Sequence, residues 1–121
     1  MMQYVLDTYA WVDYFDGNPT FRRYIEQEIT YTASVSLTEL IRSQHNKGFS
    51  QSEIQRSIKF ITKKSTVLPI SEEDAIRAGF IAINSELHFS DALIYSLSSN
   101  ERKVVTGDKH FRGKPNVDFV G

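Results

Sequence analysis

The chain has 121 residues, a net charge of −1 and no cysteine, which allows one domain and excludes disulfide bonds and zinc–thiolate sites. Hydrophobic residues make up 40% of the sequence, which predicts an ordinary globular core in a single domain over residues 1–121. The first residues contain no apolar stretch long enough for a signal peptide or a membrane span, so a cytoplasmic protein is expected.

Apolar runs alternate with amphipathic stretches along the chain, which predicts five strands and six helices. In chain order they are strand Gln3–Leu6, helix Thr8–Phe15, helix Thr20–Glu28, strand Ile29–Ala33, helix Ser36–Lys47, a helix opened by Ser50 and Glu53, strand Thr66–Ile70, helix Ser71–Asn84, helix Ser90–Ser99, strand Lys103–Thr106 and strand Val117–Val120. This alternation predicts an α/β fold with a mostly parallel sheet and helices on both faces.

Four acidic residues lie at or soon after the ends of the predicted strands, and they are spread over nearly the whole chain. They are Asp7, Glu39, Asp91 and Asp108. The carboxyl ends of parallel strands meet at one edge of a sheet, and this edge is where ligands bind in open α/β folds. Carboxylate oxygens that converge there are suitable ligands for a hard divalent cation. The pattern therefore predicts metal-assisted hydrolysis.

Each of these acids also has a purely structural explanation. Asp7 is a good N-cap for the helix that follows it. Glu39 completes a capping box that begins at Ser36. Asp91 lies in the first turn of a helix, where the helix dipole favours a negative charge, and Asp108 fits an ordinary turn. The sequence leaves both explanations open for every acid, and the functional one depends on the four converging.

The net charge is unusual for a protein that acts on nucleic acid. Without the four acids, however, the −1 becomes +3 on the remaining residues. Basic pairs such as Arg22–Arg23 and Lys63–Lys64 either line a phosphate path or simply keep the surface soluble. No zinc-binding histidine spacing, phosphate-binding glycine loop or nucleophile elbow is present. The four acids are therefore the only candidate catalytic residues that the sequence indicates.

Four sequence blocks, in this order, resemble the PIN-domain nucleases, especially the VapC-like toxins of prokaryotic toxin–antitoxin pairs. The blocks are Y-V-L-D-T-Y-A-W, T-A-S-V-S-L-T-E-L-I-R, F-S-D-A-L-I-Y-S-L and V-V-T-G-D-K-H-F. The resemblance extends from Tyr4 to about Val120. It implies a three-layer α/β/α sandwich, a Mg²⁺- or Mn²⁺-dependent endoribonuclease that acts on RNA, a homodimer and an antitoxin as protein partner.

The resemblance also implies which residues act. The catalytic acids of the family correspond to Asp7, Glu39, Asp91 and Asp108, and Asp7 and Asp91 are assigned as the direct metal ligands. Glu39 is expected to hold a second metal or to orient the attacking water, and Asp108 to complete the site. The substrate-binding hydroxyls are expected to be those of Thr8 and Thr106.

The expected reaction follows from placing several carboxylates close together. Like charges raise at least one carboxyl pKa, and a divalent cation removes this conflict. The cation also lowers the pKa of a water and braces the phosphate oxygens. Because the RNA 2′-hydroxyl is not needed as the nucleophile, the expected products carry a 5′-phosphate and a 3′-hydroxyl.

Two other classes of function compete with a nuclease. One is a catalytically weak module of the same fold that binds RNA or protein, which the presence of all four acids disfavours. The other is a phosphoryl-transfer receiver domain, which needs an acidic pair after the first strand and an aspartate after a middle strand. Asp7 is followed by Thr8, and the strand Thr66–Ile70 ends without an aspartate, so the sequence disfavours this class as well.

Five aromatic residues crowd the first two predicted helices, namely Trp11, Tyr14, Phe15, Phe21 and Tyr24. Two interpretations remain open. Either all five belong to the core, or they line a groove between the two helices that receives an apolar segment of the antitoxin. In the second case an arginine of that segment is expected to enter the acidic cleft and to compete with the metal.

Overall fold

Five strands form the central sheet of the computed structural model, which describes residues 1–121. The strands are β1 (Gln3–Leu6), β2 (Thr30–Ala33), β3 (Thr66–Leu68), β4 (Arg102–Thr106) and β5 (Val117–Phe119). Their order across the sheet is β3-β2-β1-β4-β5, and every neighbouring pair is parallel. The predicted parallel α/β fold is therefore confirmed.

Six helices and one short 3-10 helix connect the strands. They are α1 (Thr8–Phe15), α2 (Arg22–Gln27), α3 (Ser34–Asn46), α4 (Gln51–Lys64), α5 (Glu72–Ile83), α6 (Phe89–Tyr95) and the 3-10 helix Lys109–Phe111. Reciprocal capping boxes open α4 at Ser50 and Glu53 and α5 at Ser71 and Asp74, because in each the serine hydroxyl and the acid satisfy otherwise unpaired amides. Every helix falls short of the length and apolar character that a bilayer crossing requires.

The sheet separates two hydrophobic cores, because successive side chains of a strand point to opposite faces. Val5 of β1 and Val104 of β4 pack with residues of α5 and α6. Leu6 and Val105, one position further along each strand, pack with residues of α1, α2, α3 and α4. This arrangement forms the three-layer α/β/α sandwich that the family resemblance implies.

Several element boundaries differ from those predicted. Helix α3 begins at Ser34, directly after β2, so Ser36 lies inside the helix and is buried. The predicted capping box from Ser36 to Glu39 is therefore wrong, and Glu39 belongs to the second helical turn. Strand β3 ends at Leu68 because Pro69 has no amide hydrogen with which to continue the ladder. Helix α6 ends at Tyr95, shorter than predicted.

The aromatic residues of the first two helices belong to the core. Trp11, Phe21 and Tyr24 are buried, and Tyr14 and Phe15 pack against the same cluster. The Trp11 ring stacks on Phe15 at 5.8 Å between centroids, and its indole N–H donates to Thr32 Oγ1 at 3.0 Å. The predicted antitoxin groove between the first two helices is therefore wrong, because the rings that would line it are occupied with one another.

The strand order reverses direction next to β1. From β1 the chain moves to β2 and β3 on one side, and it then returns to β4 and β5 on the other side. Crevices at such a switch point, outside the carboxyl ends of the two central strands, are the usual ligand sites of open α/β sheets. Here β1 leads directly into Asp7, and β4 leads into Gly107 and Asp108.

Candidate active site

Asp7 is the most deeply buried of the four acids, with 2% of its surface exposed. It is the N-cap of α1, and its Oδ1 accepts a hydrogen bond from the Ala10 amide at 2.9 Å. Burial raises the pKa of Asp7 to about 7, an increase that the neighbouring Thr106 hydroxyl and the Ala10 amide partly offset and that the charges of Asp91 and Asp108 reinforce. The same Asp7 side chain thus caps α1 and has a raised pKa.

Asp91 is the third residue of α6. Partial burial, followed by the negative charges of Asp108 and Glu39, raises the pKa of Asp91 to about 6, while His88 and His110 act in the opposite direction. Asp108 and Glu39 therefore lie within electrostatic reach of Asp91, and so does Asp7, whose pKa Asp91 helps to raise. The first-turn position explains its orientation, but the helix dipole would lower the pKa rather than raise it.

Asp108 caps the short 3-10 helix that follows β4. Its Oδ1 accepts hydrogen bonds from the His110 amide at 3.0 Å and lies 2.8 Å from His110 Nδ1. Its own amide donates to Thr106 Oγ1 at 2.9 Å. Thr106 is fully buried, so its hydroxyl lies behind Asp7 and Asp108 and orients them rather than facing solvent.

Glu39 projects from the second turn of α3 toward the beginning of α1. The Thr8 hydroxyl donates to Glu39 Oε1 and lies 3.1 Å from Ser36 Oγ. This small network joins the loop after β1 to the helix after β2. It follows that Thr8 holds the Glu39 carboxylate in place, a function that its expected role as a substrate-binding hydroxyl did not include.

The four predicted acids are electrostatically coupled, but they do not form a finished metal site. The charges of Asp91 and Asp108 raise the pKa of Asp7, and those of Asp108 and Glu39 raise the pKa of Asp91. No three His, Cys, Asp or Glu side chains lie close enough together to hold a metal ion as they stand. Asp7, Glu39 and Asp91 form no salt bridge. The donor set of oxygens and its uncompensated charge fit a hard divalent cation, although the carboxylates do not converge on one point.

The structure adds three residues to this neighbourhood that the sequence did not single out. His88 caps α6, and its ring lies 6.1 Å from that of His110. Tyr9, on the first turn of α1, lies against Gly107. His110 was recognisable in principle, since a residue two positions after a capping aspartate often bonds to it. The position of Tyr9 depends on a contact between distant segments, for which the sequence contains no signal.

The chain folds as a parallel α/β/α sandwich, and its four acids lie near the switch point of the sheet. These two features define a class of protein: small α/β domains with an acidic site at the carboxyl edge of the sheet. Within that class, the PIN domain profile matches residues 4–116. The chain therefore belongs to the PIN domain family. No curated protein sequence matches it.

Solved structures share this fold over nearly the whole chain. A toxin–antitoxin complex from Klebsiella pneumoniae is 19% identical, with 94% of each chain covered and a TM-score of 0.78. Mycobacterium tuberculosis VapC20, described as a sarcin–ricin loop cleaving toxin, is 14% identical with a TM-score of 0.77 and coverage of 98% of this chain and 99% of that chain. VapBC2 from Rickettsia felis, bound to a DNA fragment from its promoter, is 18% identical with a TM-score of 0.71 and coverage of 98% and 97%.

Proposed function

We propose that this protein is a divalent-metal-dependent endoribonuclease, the toxin of a toxin–antitoxin pair, acting on RNA in the cytoplasm. The observation that carries the proposal is the placement of four acids near the switch point of the sheet, where neighbouring acids help to raise the pKa values of Asp7 and Asp91. Membership of the PIN domain family and the toxins among similarly folded proteins support it.

In this proposal Asp7 and Asp91 hold the cation. Burial, reinforced by neighbouring negative charges, raises both pKa values, so an added positive charge would stabilise the ionised form of these two carboxylates. Mg²⁺ or Mn²⁺, when bound, supplies an acidified water and offsets negative charge on the phosphate. Glu39, fixed by Thr8, orients the attacking water or holds a second cation, and Asp108 completes the negative rim of the site.

The roles of the two threonines follow from their hydrogen bonds. Thr106 aligns Asp7 and Asp108 from behind the site, and Thr8 both orients Glu39 and lies at the edge that the substrate reaches. The His110 ring lies 2.8 Å from Asp108 Oδ1 and holds that carboxylate at the rim of the site. A binding module without catalysis has no use for two carboxylates, Asp7 and Asp91, that repel neighbouring acids and have no salt bridge, so the enzyme is the better explanation.

The metal requirement can be tested by melting and cleavage together. We expect Mg²⁺ or Mn²⁺ to raise the melting temperature of the metal-free protein, because a ligand bound only to the native state adds about 2.7 kcal/mol of stability at a hundred times its dissociation constant. We also expect Mn²⁺ to support cleavage of single-stranded RNA, EDTA to stop it, and Zn²⁺ to be a poorer substitute at an all-oxygen site. Cleavage that persists in EDTA, with an unchanged melting temperature, would refute metal dependence.

The homodimer is proposed to form through the exposed face of α5. Ile76, Phe80 and Ile83 lie one turn apart on this helix, and each is more than half exposed. Ala75 and Gly79 lie beside them at a shallow cavity of about 310 Å³. One helix face thus carries both projecting apolar side chains and a shallow cavity, which suits a two-fold symmetric contact because each copy presents the same surface.

Phe80→Arg is expected to convert a dimer into a monomer, because it places a charge at the centre of an apolar contact. Sedimentation equilibrium at micromolar concentration provides the measurement, and Arg56→Gln, on the exposed side of α4, provides the control. A monomeric wild-type protein, or a variant that remains dimeric, would exclude this face as the interface.

The antitoxin is proposed to use a different surface from the one predicted from the sequence. A cavity of about 420 Å³ lies between α3 and α4, and its apolar residues are Ile41, Ile54 and Ile58. An amphipathic segment of a partner protein can place its apolar residues in such a groove. The toxin–antitoxin complexes among similarly folded proteins support the existence of the partner, and the apolar lining of the cavity supports it as the docking site.

A further inference from the structure

Tyr9 is an exposed aromatic residue at the edge of the acidic site. It lies two residues after Asp7 on the first turn of α1, and 48% of its surface is exposed. A half-exposed tyrosine beside a carboxylate cluster is not explained by core packing. Single-stranded nucleic acids are bound largely by the stacking of bases on such rings.

The Tyr9 ring is held in place from two sides. Its edge meets the buried ring of Phe21 at 6.2 Å between centroids and an interplanar angle of 79°. It also fills the space above Gly107, where a Cβ atom would lie 2.5 Å from Tyr9 Cε1 and 3.1 Å from Cζ. Only glycine permits this approach, so the ring is fixed next to the backbone that carries Asp108. A ring that is already ordered loses little entropy when it binds.

Two neighbouring cavities lie beside Tyr9, along α1 and α3. The first, of about 410 Å³, is lined by Thr8, Tyr9, Val12, Asp13, Asp16 and Ser43. A second cavity of about 430 Å³ shares Ser43 and has no hydrophobic residue in its lining. Volumes of this order are typical of sites for small organic ligands. Because the cavities adjoin at Ser43, they lead from Tyr9 toward Glu39 and Arg42.

The second cavity contains both an acid of the site and a free cation. Glu39 and Arg42, one turn apart on α3, line it together with Lys47. Lys47 is already paired with Asp16 at 2.8 Å, whereas Arg42 forms no salt bridge. An unpaired arginine next to a carboxylate that must face a phosphodiester provides a contact for a backbone phosphate.

We propose that one nucleobase of a single-stranded RNA stacks on Tyr9 while Arg42 contacts an adjacent backbone phosphate. The strand then crosses α1 and α3, and the neighbouring phosphodiester reaches the acids. This inference rests on the proposed ribonuclease function and extends it from the reaction to the path of the substrate. Stacking does not distinguish strongly among bases, so Tyr9 contributes affinity and position rather than sequence choice.

The test measures RNA binding without cleavage, in the Asp91→Asn protein with Mg²⁺, by fluorescence anisotropy. The probes are a fluorescein-labelled oligoadenylate of about 12 nucleotides and an abasic oligomer of the same length. We expect Tyr9→Leu to weaken oligoadenylate binding by roughly 5- to 150-fold, the range that corresponds to one stacked base. The ratio of the affinity for oligoadenylate to that for the abasic strand should fall by a similar factor. Tyr9→Phe keeps the ring, so it should retain both the wild-type affinity and the wild-type preference.

Two control variants make the result specific. Phe89→Leu removes the other exposed aromatic residue near the site, two positions before Asp91 and 76% exposed, and it should change binding by less than about threefold because that ring has no fixing contact. Arg42→Gln should lower the slope of log Kd against log salt concentration by the amount that one phosphate contact contributes. Arg56→Gln should leave this slope unchanged.

The outcomes separate this inference from the function on which it rests. If neither the Asp91→Asn protein with Mg²⁺ nor the wild-type protein in EDTA binds an oligonucleotide, the ribonuclease proposal itself fails. If it binds RNA and Tyr9→Leu leaves the preference for base-bearing RNA unchanged, the stacking role is overturned while the ribonuclease stands. If Tyr9→Leu instead weakens only the binding of an antitoxin, the ring belongs to a protein interface and the inference is equally overturned.

Discussion

Replacement of Asp91 by asparagine is expected to abolish RNA cleavage and to leave the fold intact. Asparagine keeps the size of the side chain at the beginning of α6 but removes the charge that couples Asp91 to Asp108 and Glu39. Loss of a charged group that acts directly on the reacting centre typically lowers kcat by about a thousandfold or more. The measurement is the cleavage rate of single-stranded RNA in Mn²⁺, with circular dichroism to verify folding.

The stability of the same variant provides a second readout. Because Asp91→Asn removes like-charge repulsion, the metal-free variant should unfold at a temperature no lower than that of the metal-free wild type. A residue needed only for folding would give the opposite result. Glu86→Gln, an exposed acid in the loop before α6, serves as the matched control and should keep wild-type activity. Full cleavage by Asp91→Asn would exclude this site.

Topology explains why the sequence could predict that Asp7 and Asp108 lie near each other. In a parallel sheet every strand ends at the same edge, so carboxylates placed after the adjacent strands β1 and β4 become neighbours. Asp7 and Asp108 follow these strands directly, and the charge of Asp108 acts on Asp7. Asp91 follows no strand, so its proximity to both depends on how α6 packs, which the strand order does not determine.

Glu39 shows where a local pattern misleads. The spacing of Ser36 and Glu39 fits a capping box, yet α3 starts at Ser34 because β2 runs directly into it. Ser36 is buried, and its hydroxyl lies beside Thr8 from another segment. Whether a serine caps a helix depends on where the preceding strand ends, and strand ends are set by pairing with distant neighbours. Sequence alone does not contain that information.

The aromatic residues of α1 and α2 illustrate a different limit. Their number indicated more apolar surface than one face of a small domain normally buries, and a groove was one interpretation. In the structure the rings bury one another, with Tyr14 stacked on Phe60 of α4 at 5.7 Å. Four helices cover this face of the sheet. The amount of apolar surface that one face can bury depends on how many helices pack on it.

The stability of the metal-free protein is expected to decrease as pH rises from about 4 to about 7. The pKa of Asp7 is 3.8 in the unfolded chain and about 7 in the fold, chiefly because of burial. Between these values the native state binds more protons than the unfolded state, so the free energy of unfolding falls with increasing pH. Asp91, with a pKa raised to about 6, acts in the same direction.

The size of the effect follows from the shift. Each pKa unit corresponds to 1.36 kcal/mol, so Asp7 alone accounts for about 4 kcal/mol of lost stability once the pH exceeds 7. Asp7→Asn should therefore be more stable than the wild type at pH 8 in EDTA, by a few kcal/mol, and its stability should vary much less between pH 4 and pH 8. Asparagine is an equally good N-cap and keeps an acceptor for the Ala10 amide.

Asp74 provides a control of opposite sign. Burial acts to raise its pKa, but hydrogen bonds with Ser71 and the charge of Arg77 outweigh burial, and the net pKa is lowered. Its contribution is present at neutral pH and is lost as pH falls through the folded-state pKa. Asp74→Asn should therefore destabilise the protein at pH 8, where Asp7→Asn stabilises it.

Urea unfolding of both variants at pH 5 and pH 8 measures the difference. A wild-type free energy of unfolding in EDTA that rises between these two pH values would contradict a buried, proton-binding Asp7. Saturating Mg²⁺ should narrow the difference between Asp7→Asn and the wild type at pH 8, because only the wild type retains the charge that the cation offsets.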